Sequence, residues 1–586
     1  MTIQVGEVIA VNGVKITLKI QDESSKESLY FDGEKYKGVS IREYLGIQRG
    51  FRNIVCIVEG EYLDESRVET QGGKVGYIRK VDARPIGYFE NDEFKDGIKF
   101  MPMIKDPAFL LQEEKIAAIY GKSSSEGFVV GKMLKEDIPI SLPWQKLFNS
   151  HIGIFGNTGS GKSNTLAKLY TVLFEKKANS IGDKSKFIIL DFNGEYTSDQ
   201  LIGADSKTVH KLATNSDDGD KFPLHDEEFW NPETLSILFQ ATQNTQRPFL
   251  NRIIEGRKKF IAAPNALLNY TKRTIEAAFS AASPKPETLD LLRNVANIID
   301  NDALKAVLKE ISWHGGRSAF HRNNGYFNAD GVGYTRELAP VVELINIDGL
   351  DSFDQLVVRA YLQLTRDLIY GYVQFEHIQP LLKRIDSSLN SLRKVVEVNG
   401  QEVANRLLTV ISLKRCNNEM KKVLPLLIAK HYYNEHKRIV ENPPNKTIHF
   451  IVDEAHNVLS QQSTREHESW KDYRLELFEE IIKEGRKFGM FITISSQRPA
   501  DISPTIISQL HNFFIHRLVN DRDLFLLDNT ITTLDGLSKG MIPHLAKGCC
   551  VVTGTSFDLP MVLQIDPLPD TKRPDSDDVN LTELWA

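Results

Sequence analysis

The sequence has few cysteines and lacks the long apolar runs of membrane proteins. Its 586 residues include four cysteines, none of them in C-x-x-C spacing, and no apolar run reaches membrane-spanning length. This composition argues against a disulfide-rich scaffold, a zinc knuckle and a membrane-spanning protein. We therefore expect a protein of a reducing compartment, and the cytoplasm is the predicted location.

The chain also lacks an excess of charge of either sign. It contains 72 lysines and arginines against 78 aspartates and glutamates, so its formal net charge is −6. A surface covered in positive charge is excluded, whereas a basic lining confined to one channel is compatible with this balance. The length of the chain predicts about three to four domains.

What the chain does contain is a glycine-rich motif with the pattern G-x-x-x-x-G-K-[ST]. Its residues, with the one that follows, are Gly156, Asn157, Thr158, Gly159, Ser160, Gly161, Lys162, Ser163 and Asn164. A short apolar stretch ending at Phe155 precedes the motif, and apolar residues at helical spacing follow it, as in a phosphate-binding loop. The glycines let backbone N–H groups turn toward phosphates, and the N-terminus of the following helix adds positive potential.

This loop predicts ATP and Mg²⁺ as cofactors. Lys162 is expected to reach the β- and γ-phosphates, and the Ser163 hydroxyl is expected to bind Mg²⁺. A second apolar stretch, residues 448–452, ends in Asp453 and Glu454. Together with the loop, this pattern predicts that Asp453 holds Mg²⁺ through water and that Glu454 polarises the attacking water.

Three further residues are candidates for phosphoryl transfer. Gln497 follows the apolar stretch 490–496 and either senses the γ-phosphate or caps the strand. Arg486 follows an amphipathic helix and either satisfies the carbonyl groups at the helix end or reaches a neighbouring subunit's nucleotide as an arginine finger. Arg517, on a later apolar stretch, is a weaker candidate of the same kind.

The pattern of elements predicts an α/β protein with three parts and a tail. Residues 1–145 contain short alternating runs, which are typical of a small barrel or sandwich. Residues 146–204 and 446–566 carry the phosphate loop and the later apolar strands, and are predicted to form one core. Residues 205–445 show long amphipathic patterns, which predict a helical insertion. Residues 567–586 are rich in proline and aspartate.

Several motifs resemble those of one family, the HerA branch of the HerA/FtsK ATPases. They are residues 156–163, Asp-Phe-Asn-Gly-Glu-Tyr at 191–196, Val-Asp-Glu-Ala-His at 452–456, Glu-Gly-Arg-Lys-Phe-Gly at 484–489 and Ser-Gln-Arg-Pro at 496–499. The resemblance implies a RecA-like P-loop core with an N-terminal β-barrel and an inserted helical bundle. It also implies that Glu195 lies near the nucleotide, that Arg486 acts in trans and that the C-terminal tail braces the adjacent subunit.

The same resemblance implies a homo-hexameric motor that translocates double-stranded DNA through a central pore. Family members work with a separate effector, so it also implies a partner docking on the N-terminal barrel. That partner is a NurA-like or other nuclease in DNA-end processing, or a sirtuin-like NADase in anti-phage defence. A ring that mainly assembles and activates such an effector stays open as an alternative. A secretion or conjugation coupling ATPase is disfavoured, because no membrane segment is present in the sequence.

One loop is a candidate for contact with DNA. Residues 460–472 follow the acidic strand and include Arg465 and Lys471. These two cations are predicted to contact DNA phosphates in the pore, and the competing interpretation is a solvated charged loop.

Overall fold

The computed structural model describes residues 3–21, 28–31, 34–66, 76–120, 127–323, 325–399, 406–462, 468–576 and 584–585. Its N-terminal strands are β1 (Gln4–Asn12), β2 (Lys15–Ile20), β3 (Ser28–Phe31), β4 (Glu34–Lys37), β5 (Tyr44–Arg49), β6 (Arg52–Ser66), β7 (Gly76–Glu90), β8 (Glu93–Asp96) and β9 (Pro107–Leu110).

Six of these strands close into a barrel. Hydrogen bonds run in the order β2-β1-β9-β5-β6-β7, and β7 pairs back onto β2. β8 extends β7 outside the ring, while β3 and β4 form a separate hairpin. Alternate residues such as Val8, Ile16 and Leu45 fill the interior and are fully buried. The predicted N-terminal β-barrel is confirmed, since the period-2 alternation supplies its packed inner face.

A second, larger sheet contains eleven of the strands that follow β9, and its order is given below. The remaining strands of the described chain are β10 (Val129–Met133), β11 (Pro139–Ser141), β12 (Ile152–Phe155), β13 (Ser185–Asp191), β14 (Lys207–Ala213), β15 (Phe222–Leu224), β16 (Ser312–His314), β17 (Ala319–Arg322), β18 (Gly325–Tyr326), β19 (Val396–Val398), β20 (Leu408–Arg415), β21 (Thr447–Val452), β22 (Met490–Ser496), β23 (Asn512–Ile515), β24 (Cys549–Gly554) and β25 (Met561–Ile565).

The order of the large sheet is β11-β10-β25-β24-β23-β12-β22-β21-β13-β20-β14. The seven strands from β23 to β14 run parallel, and the other four are antiparallel. β12 and β22 are buried at every residue, which explains why their sequences are mostly apolar and contain no charged residue. The predicted α/β class with a P-loop core is confirmed.

Helices either cover the faces of this sheet or pack against one another in the inserted bundle. They are α1 (Glu113–Ile119), α2 (Trp144–Phe148), α3 (Lys162–Ile181), α4 (Asp226–Phe229), α5 (Pro232–Leu238), α6 (Gln246–Phe260), α7 (Ala266–Phe279), α8 (Glu287–Ile298), α9 (Asp302–Glu310), α10 (Val332–Glu337), α11 (Ala339–Val342), α12 (Ser352–Ile369), α13 (Phe375–Val395), α14 (Asn418–Ile439), α15 (His456–Leu459), α16 (Glu468–Gly485), α17 (Pro504–Ser508), α18 (Asp521–Thr530) and α19 (Gly536–Met541).

The two faces bury different clusters. On one face Tyr170 of α3 packs against Phe187 of β13, and on the other α14 and α16 cover Phe450 and Ile492. Within the ranges described above, no helix combines the length and the apolar character needed to cross a membrane. The long helices bury one stripe each against the sheet or against one another.

The helical insertion is shorter than the predicted range 205–445. β14 and β20 lie inside that range, yet both belong to the large sheet, and the bundle of α4–α13 lies between them. α12 is the central helix of this bundle and packs against α6, α7, α8 and α13. The reason for the error is that residues 408–413 form a short and mostly apolar stretch, which periodicity does not distinguish from a buried helix.

The predicted N-terminal range 1–145 also needs correction. β10 and β11 fall within it, but β10 pairs with β25 at the edge of the large sheet, at a distance of more than 400 residues along the chain. The last barrel strand ends at Leu110. A strand's alternation predicts that it has a buried face but not which sheet it joins.

Candidate active site

The carboxyl ends of five neighbouring parallel strands meet at one edge of the large sheet. The phosphate loop follows β12, the turn 191–196 follows β13, and Asp453 and Glu454 follow β21. Gln497 follows β22, and Arg517 follows β23. Loops at the carboxyl ends of parallel strands line a common crevice, so the sheet brings these predicted residues together.

The phosphate loop curls because two of its glycines adopt left-handed conformations. φ is 75° at Gly159 and 108° at Gly161. Space is limited as well, since a Cβ atom on Gly161 would lie 2.9 Å from the Cα atom of Gly548. The Gly548 N–H donates a hydrogen bond of 2.8 Å to the carbonyl oxygen of Ser160, which holds the loop in place. The 20-residue helix α3 then begins with its N-terminus at the site.

The Lys162 ammonium group contacts both acidic residues. Its Nζ lies 3.0 Å from Oε1 of Glu454, 3.6 Å from Oδ1 of Asp453 and 3.3 Å from Oγ of Ser495. Burial disfavours the charge, but attraction to the two carboxylates outweighs it and raises the pKa of Lys162 above its ordinary value. The lysine is therefore charged, and phosphate oxygens would compete with these carboxylates for it.

Asp453 and Ser163 offer oxygen donors that fit Mg²⁺. Asp453 is buried; its Oδ1 accepts a 3.0 Å hydrogen bond from the Glu454 N–H, and its Oδ2 makes no hydrogen bond. A buried carboxylate oxygen without a partner suits a hard cation. Across the described ranges, no group of three or more His, Cys, Asp or Glu residues is arranged to hold a metal. A Mg²⁺ ion held by Ser163 and Asp453 would complete its coordination with phosphate oxygens and water.

Glu454 has a strained backbone and an ionised side chain. Its φ of 47° lies in the left-handed region, which is unfavourable for a residue with a side chain. Its Oε2 lies 3.3 Å from Nδ1 of His456, while Lys162 binds Oε1. Burial raises the pKa of this carboxyl, but His456 and Lys162 outweigh that effect, and the pKa of Glu454 lies well below its usual range. Glu454 is thus in the form that a water-polarising base requires.

Asp191 folds the turn that carries Glu195. Its Oδ1 accepts hydrogen bonds from the N–H groups of Gly194 at 2.7 Å and Glu195 at 3.0 Å, and its Oδ2 accepts one from the Tyr196 N–H at 3.0 Å. One carboxylate thereby satisfies three successive backbone donors, which fixes the turn. Burial raises the pKa of Asp191 to about 6, and those three hydrogen bonds limit the rise.

Glu195 itself faces the metal end of the site. Its carboxyl accepts a 3.1 Å hydrogen bond from Nδ2 of Asn193, and the nearby Ser163 hydroxyl lowers its pKa. Burial and repulsion from Asp453 raise the pKa of Glu195 to about 7. The side chain is therefore near the nucleotide position, and its catalytic role stays a prediction.

Gln497 contacts the phosphate loop directly. Its side-chain carbonyl accepts a hydrogen bond from the Thr158 hydroxyl. One residue earlier, the carbonyl oxygen of Ser496 accepts a 3.3 Å hydrogen bond from the Gly156 N–H. The end of β22 is thus joined to the first half of the loop. Sensing of the γ-phosphate by this amide stays a prediction that its position supports.

Arg517 lies beside the phosphate loop of its own chain. Its carbonyl oxygen accepts a 2.9 Å hydrogen bond from the Asn157 N–H. Its side chain lines a cavity of about 200 Å³ together with Val519, Leu545, Lys547 and residues 157–160. Two exposed cations, Arg517 and Lys547, therefore supply positive charge next to the loop within a single chain.

Arg486 lies at the amino ends of the parallel strands, opposite the phosphate loop. It sits in a short 3₁₀ turn between α16 and β22, and its Nη1 is 3.2 Å from Nε2 of His511. β22 has seven residues, so roughly 20 Å separates this guanidinium from the phosphate loop of the same chain. The structure does not bring Arg486 to the nucleotide site of its own chain. Its guanidinium contacts the His511 ring, whereas the helix-capping interpretation predicts contacts with carbonyl oxygens.

Comparison with known proteins agrees with this arrangement. Residues 128–365 match the family profile described as helicase HerA, central domain. The DNA double-strand break repair helicase HerA of Sulfurisphaera tokodaii is 23% identical over 527 residues, which cover 89% of this chain and 84% of that protein. The corresponding helicase of Sulfolobus acidocaldarius is 22% identical over 579 residues, 95% of this chain and 90% of that protein. Over most of its length, the chain is therefore similar to the HerA helicases.

The comparisons cover different parts of the chain. The central-domain match runs from β10 into α12 and includes the phosphate loop and the turn 191–196. Asp453 and Gln497 lie beyond that match, in the part shared with the longer relatives. Among solved structures, VirB4 of Thermoanaerobacter pseudethanolicus aligns with 77% of this chain and 99% of its own, at 12% identity and a TM-score of 0.43.

Two histidines of the site are absent from the predicted set. His516 is fully buried under the phosphate loop, with its Nε2 2.8 Å from Oγ1 of Thr165. Burial lowers the pKa of His516 to about 4, so a neutral ring supports the loop. His456 contacts Glu454, and its position two residues after that carboxylate was an available signal. For His516 the sequence holds no comparable signal, because a histidine ending an apolar strand looks like an ordinary core residue.

The predicted DNA-contacting loop is only partly described. Residues 463–467, which include Arg465, lie outside the described residues. Lys471 lies within α16 and is half-buried. Contact of either cation with DNA stays a prediction.

Proposed function

We propose that this HerA-like ATPase binds ATP with Mg²⁺ at the carboxyl edge of the large sheet and hydrolyses it. The observation that carries the proposal is the meeting of Lys162, Ser163, Asp453 and Glu454, in which Lys162 Nζ lies 3.0 Å from Glu454. The loop N–H groups and the N-terminus of α3 would bind the phosphates. Mg²⁺, when held through Ser163 and Asp453, neutralises phosphate charge.

The contact between Lys162 and Glu454 couples binding to catalysis. Without phosphate, Lys162 binds the Oε1 atom of Glu454. When Lys162 turns to the β- and γ-phosphates, that oxygen is released and can accept a proton from the attacking water. The Oε1 atom of Glu454 therefore becomes available only after the phosphates hold the lysine. Gln497, joined to the loop through Thr158, is in position to sense the terminal phosphate.

We further propose that hydrolysis drives movement along double-stranded DNA in a ring of six copies. Relatives that align with most of the chain are named DNA double-strand break repair helicases, which supports DNA as the track. The position of Arg486, at the edge opposite its own phosphate loop, favours a nucleotide site completed by a neighbouring copy.

A phosphate-release assay on the full chain tests both parts of this proposal. Linear double-stranded DNA should stimulate turnover several-fold, and native mass measurement should give six copies. ATPase activity that does not respond to DNA would refute the proposed motor but not the proposed ATP hydrolysis. A chain that neither binds nor hydrolyses ATP would refute the whole proposal.

A separate effector completes the proposal. We infer that a nuclease, NurA-like or other, or a sirtuin-like NADase docks on the N-terminal barrel and acts in DNA-end processing or anti-phage defence. Support comes from the far end of the β6–β7 hairpin, where Tyr62, Leu63 and Tyr77 are 44%, 67% and 59% exposed. If the ring is instead mainly an assembly and activation platform, ATPase activity should depend on this partner more than on DNA. Co-purification with products of neighbouring genes, with and without DNA, separates the two.

A further inference from the structure

The chain after β25 returns to the nucleotide site of its own subunit. We call residues 566–576 the tail segment. Asn164, in the first turn of α3, is held by two backbone groups of this segment. Its Nδ2 donates to the carbonyl oxygen of Asp566, and its Oδ1 accepts from the Leu568 N–H, each at 3.4 Å. The tail segment therefore begins beside the residue that follows the phosphate-loop motif.

The tail segment is anchored on the core along its length. Leu568 and Pro574 are buried, and Lys572 forms an ion pair with Glu175 on the same helix, α3. Nε of Arg573 donates a 2.8 Å hydrogen bond to the carbonyl oxygen of Leu568, so the segment folds back on itself. These contacts all lie within one chain.

The end of the tail segment bonds the residue predicted to act near the nucleotide. The Asp575 N–H donates a 2.9 Å hydrogen bond to the carbonyl oxygen of Glu195. The Glu195 carboxyl lies beside the phosphate-loop residue Ser163, whose hydroxyl lowers the pKa of that carboxyl. The tail segment thus touches both sides of the site, Asn164 next to the phosphate loop and Glu195 next to the metal position.

We propose that the tail segment is a positioning element of its own subunit's active site, and that the bond from Asp575 fixes the place of Glu195. The inference rests on the proposed ATP hydrolysis. It differs from the brace implied by the family resemblance, because residues 566–576 are engaged within their own chain. Misplacing a catalytic group by about 1 Å costs up to about 100-fold in rate, so a single backbone contact is enough to matter.

Two truncations that differ by two residues test the proposal. A chain ending at Ser576 keeps the bond to Glu195, and a chain ending at Pro574 loses it. We expect the longer one to retain kcat within about twofold of the full chain. The shorter one should lose about tenfold or more in kcat while its KM for ATP changes less than about threefold, because the phosphate loop and Asp453 are intact.

Two substitutions isolate the backbone group. Asp575→Pro removes the N–H donor, whereas Asp575→Ala removes the side chain and keeps that donor. We expect the proline variant to behave like the chain ending at Pro574 and the alanine variant like the full chain. Native mass and melting temperature are measured for all four proteins.

The outcomes separate this inference from the proposed function. Equal kcat for the two truncations, with an active full chain, overturns the inference and leaves the ATPase intact. An Asp575→Ala variant as slow as the Asp575→Pro variant also overturns the inference. If the shorter chain loses its oligomeric mass, the tail segment acts as a brace between subunits and the inference is wrong. An inactive full chain would count against the proposed function instead.

Discussion

At the scale of single residues, the site separates nucleotide binding from turnover. Glu454 is ionised, and its Oε1 is bound by Lys162 until phosphates replace it. Replacing Glu454 with Gln keeps the shape and removes the base. We expect ATP affinity within a few-fold of the parent and turnover lower by about 10²–10⁴-fold, the usual contribution of a positioned base. Labelled-ATP binding and phosphate release measure the two quantities. Glu310→Gln, at an exposed ion pair of the inserted helical bundle, is the control. Near-parental turnover in Glu454→Gln would exclude the assigned role.

Lys162→Ala should have the opposite profile. The variant loses the cation closest to the phosphates, so we expect nucleotide affinity to fall by about 100-fold or more. It also leaves Asp453 and Glu454 buried without their shared positive charge. The nucleotide-free variant should therefore melt at a lower temperature, by a loss of up to about 3–5 kcal/mol. Lys176→Ala, at an exposed position of the same helix, should change neither calorimetric binding nor melting. Parental affinity in Lys162→Ala would contradict the binding site.

Glu195 links stability to pH. Burial, and then repulsion from Asp453, raise its pKa from 4.5 to about 7. Between these values the folded chain holds a proton that the unfolded chain has released, so this group's contribution to stability falls as pH rises through the window. Glu195→Gln has no such proton to lose. Relative to the parent, we expect the nucleotide-free variant to gain about 1–3 kcal/mol between about pH 4 and pH 8. Denaturant unfolding across that range measures it, and a difference independent of pH would refute it.

At the scale of elements, the phosphate loop depends on a glycine conformation that other residues avoid. Gly161→Ala must place a Cβ at φ 108° and within 2.9 Å of Gly548. We expect a loss of about 1–3 kcal/mol in stability and a matching loss of nucleotide affinity. Gly256→Ala is the control of opposite sign, since this glycine lies inside α6 with open space around it and should gain up to about 1 kcal/mol. Unfolding midpoints of both variants decide the prediction, and a stable, ATP-binding Gly161→Ala protein would contradict it.

The same scale explains how far the sequence alone reaches. Residues 490–496 and 561–565 were predictable as strands with the observed bounds, because each is a short apolar run between turn signals. The convergence of the loop and the acidic pair followed from parallel strands ending at one edge. The sequence did not predict β20 as a strand, because a strand buried on both faces shows no alternation of apolar and polar residues. The contact of Asp575 with Glu195 was beyond prediction, since 380 residues separate them along the chain.

At the scale of the whole molecule, the positions of two arginines give opposite expectations for subunit mixing. Arg517 lies beside the phosphate loop of its own chain, and Arg486 lies at the far edge of the sheet. If both contribute to phosphoryl transfer, Arg517 must act in cis and Arg486 in trans. Each alanine variant should keep nucleotide binding and lose turnover, because the added cation acts mainly on transition-state charge.

Mixing each arginine variant with Lys162→Ala subunits separates these roles. In rings of Arg486→Ala and Lys162→Ala copies, some interfaces join an intact Lys162 to an intact Arg486, so activity should partly return. In rings of Arg517→Ala and Lys162→Ala copies, no subunit has both residues of its own site, so activity should stay lost. Native mass spectrometry first establishes that the rings are mixed. Phosphate release then decides between the outcomes. Recovery of activity in the Arg517→Ala mixture would show that Arg517 acts in trans. No recovery in the Arg486→Ala mixture would show that Arg486 does not act in the neighbour's active site.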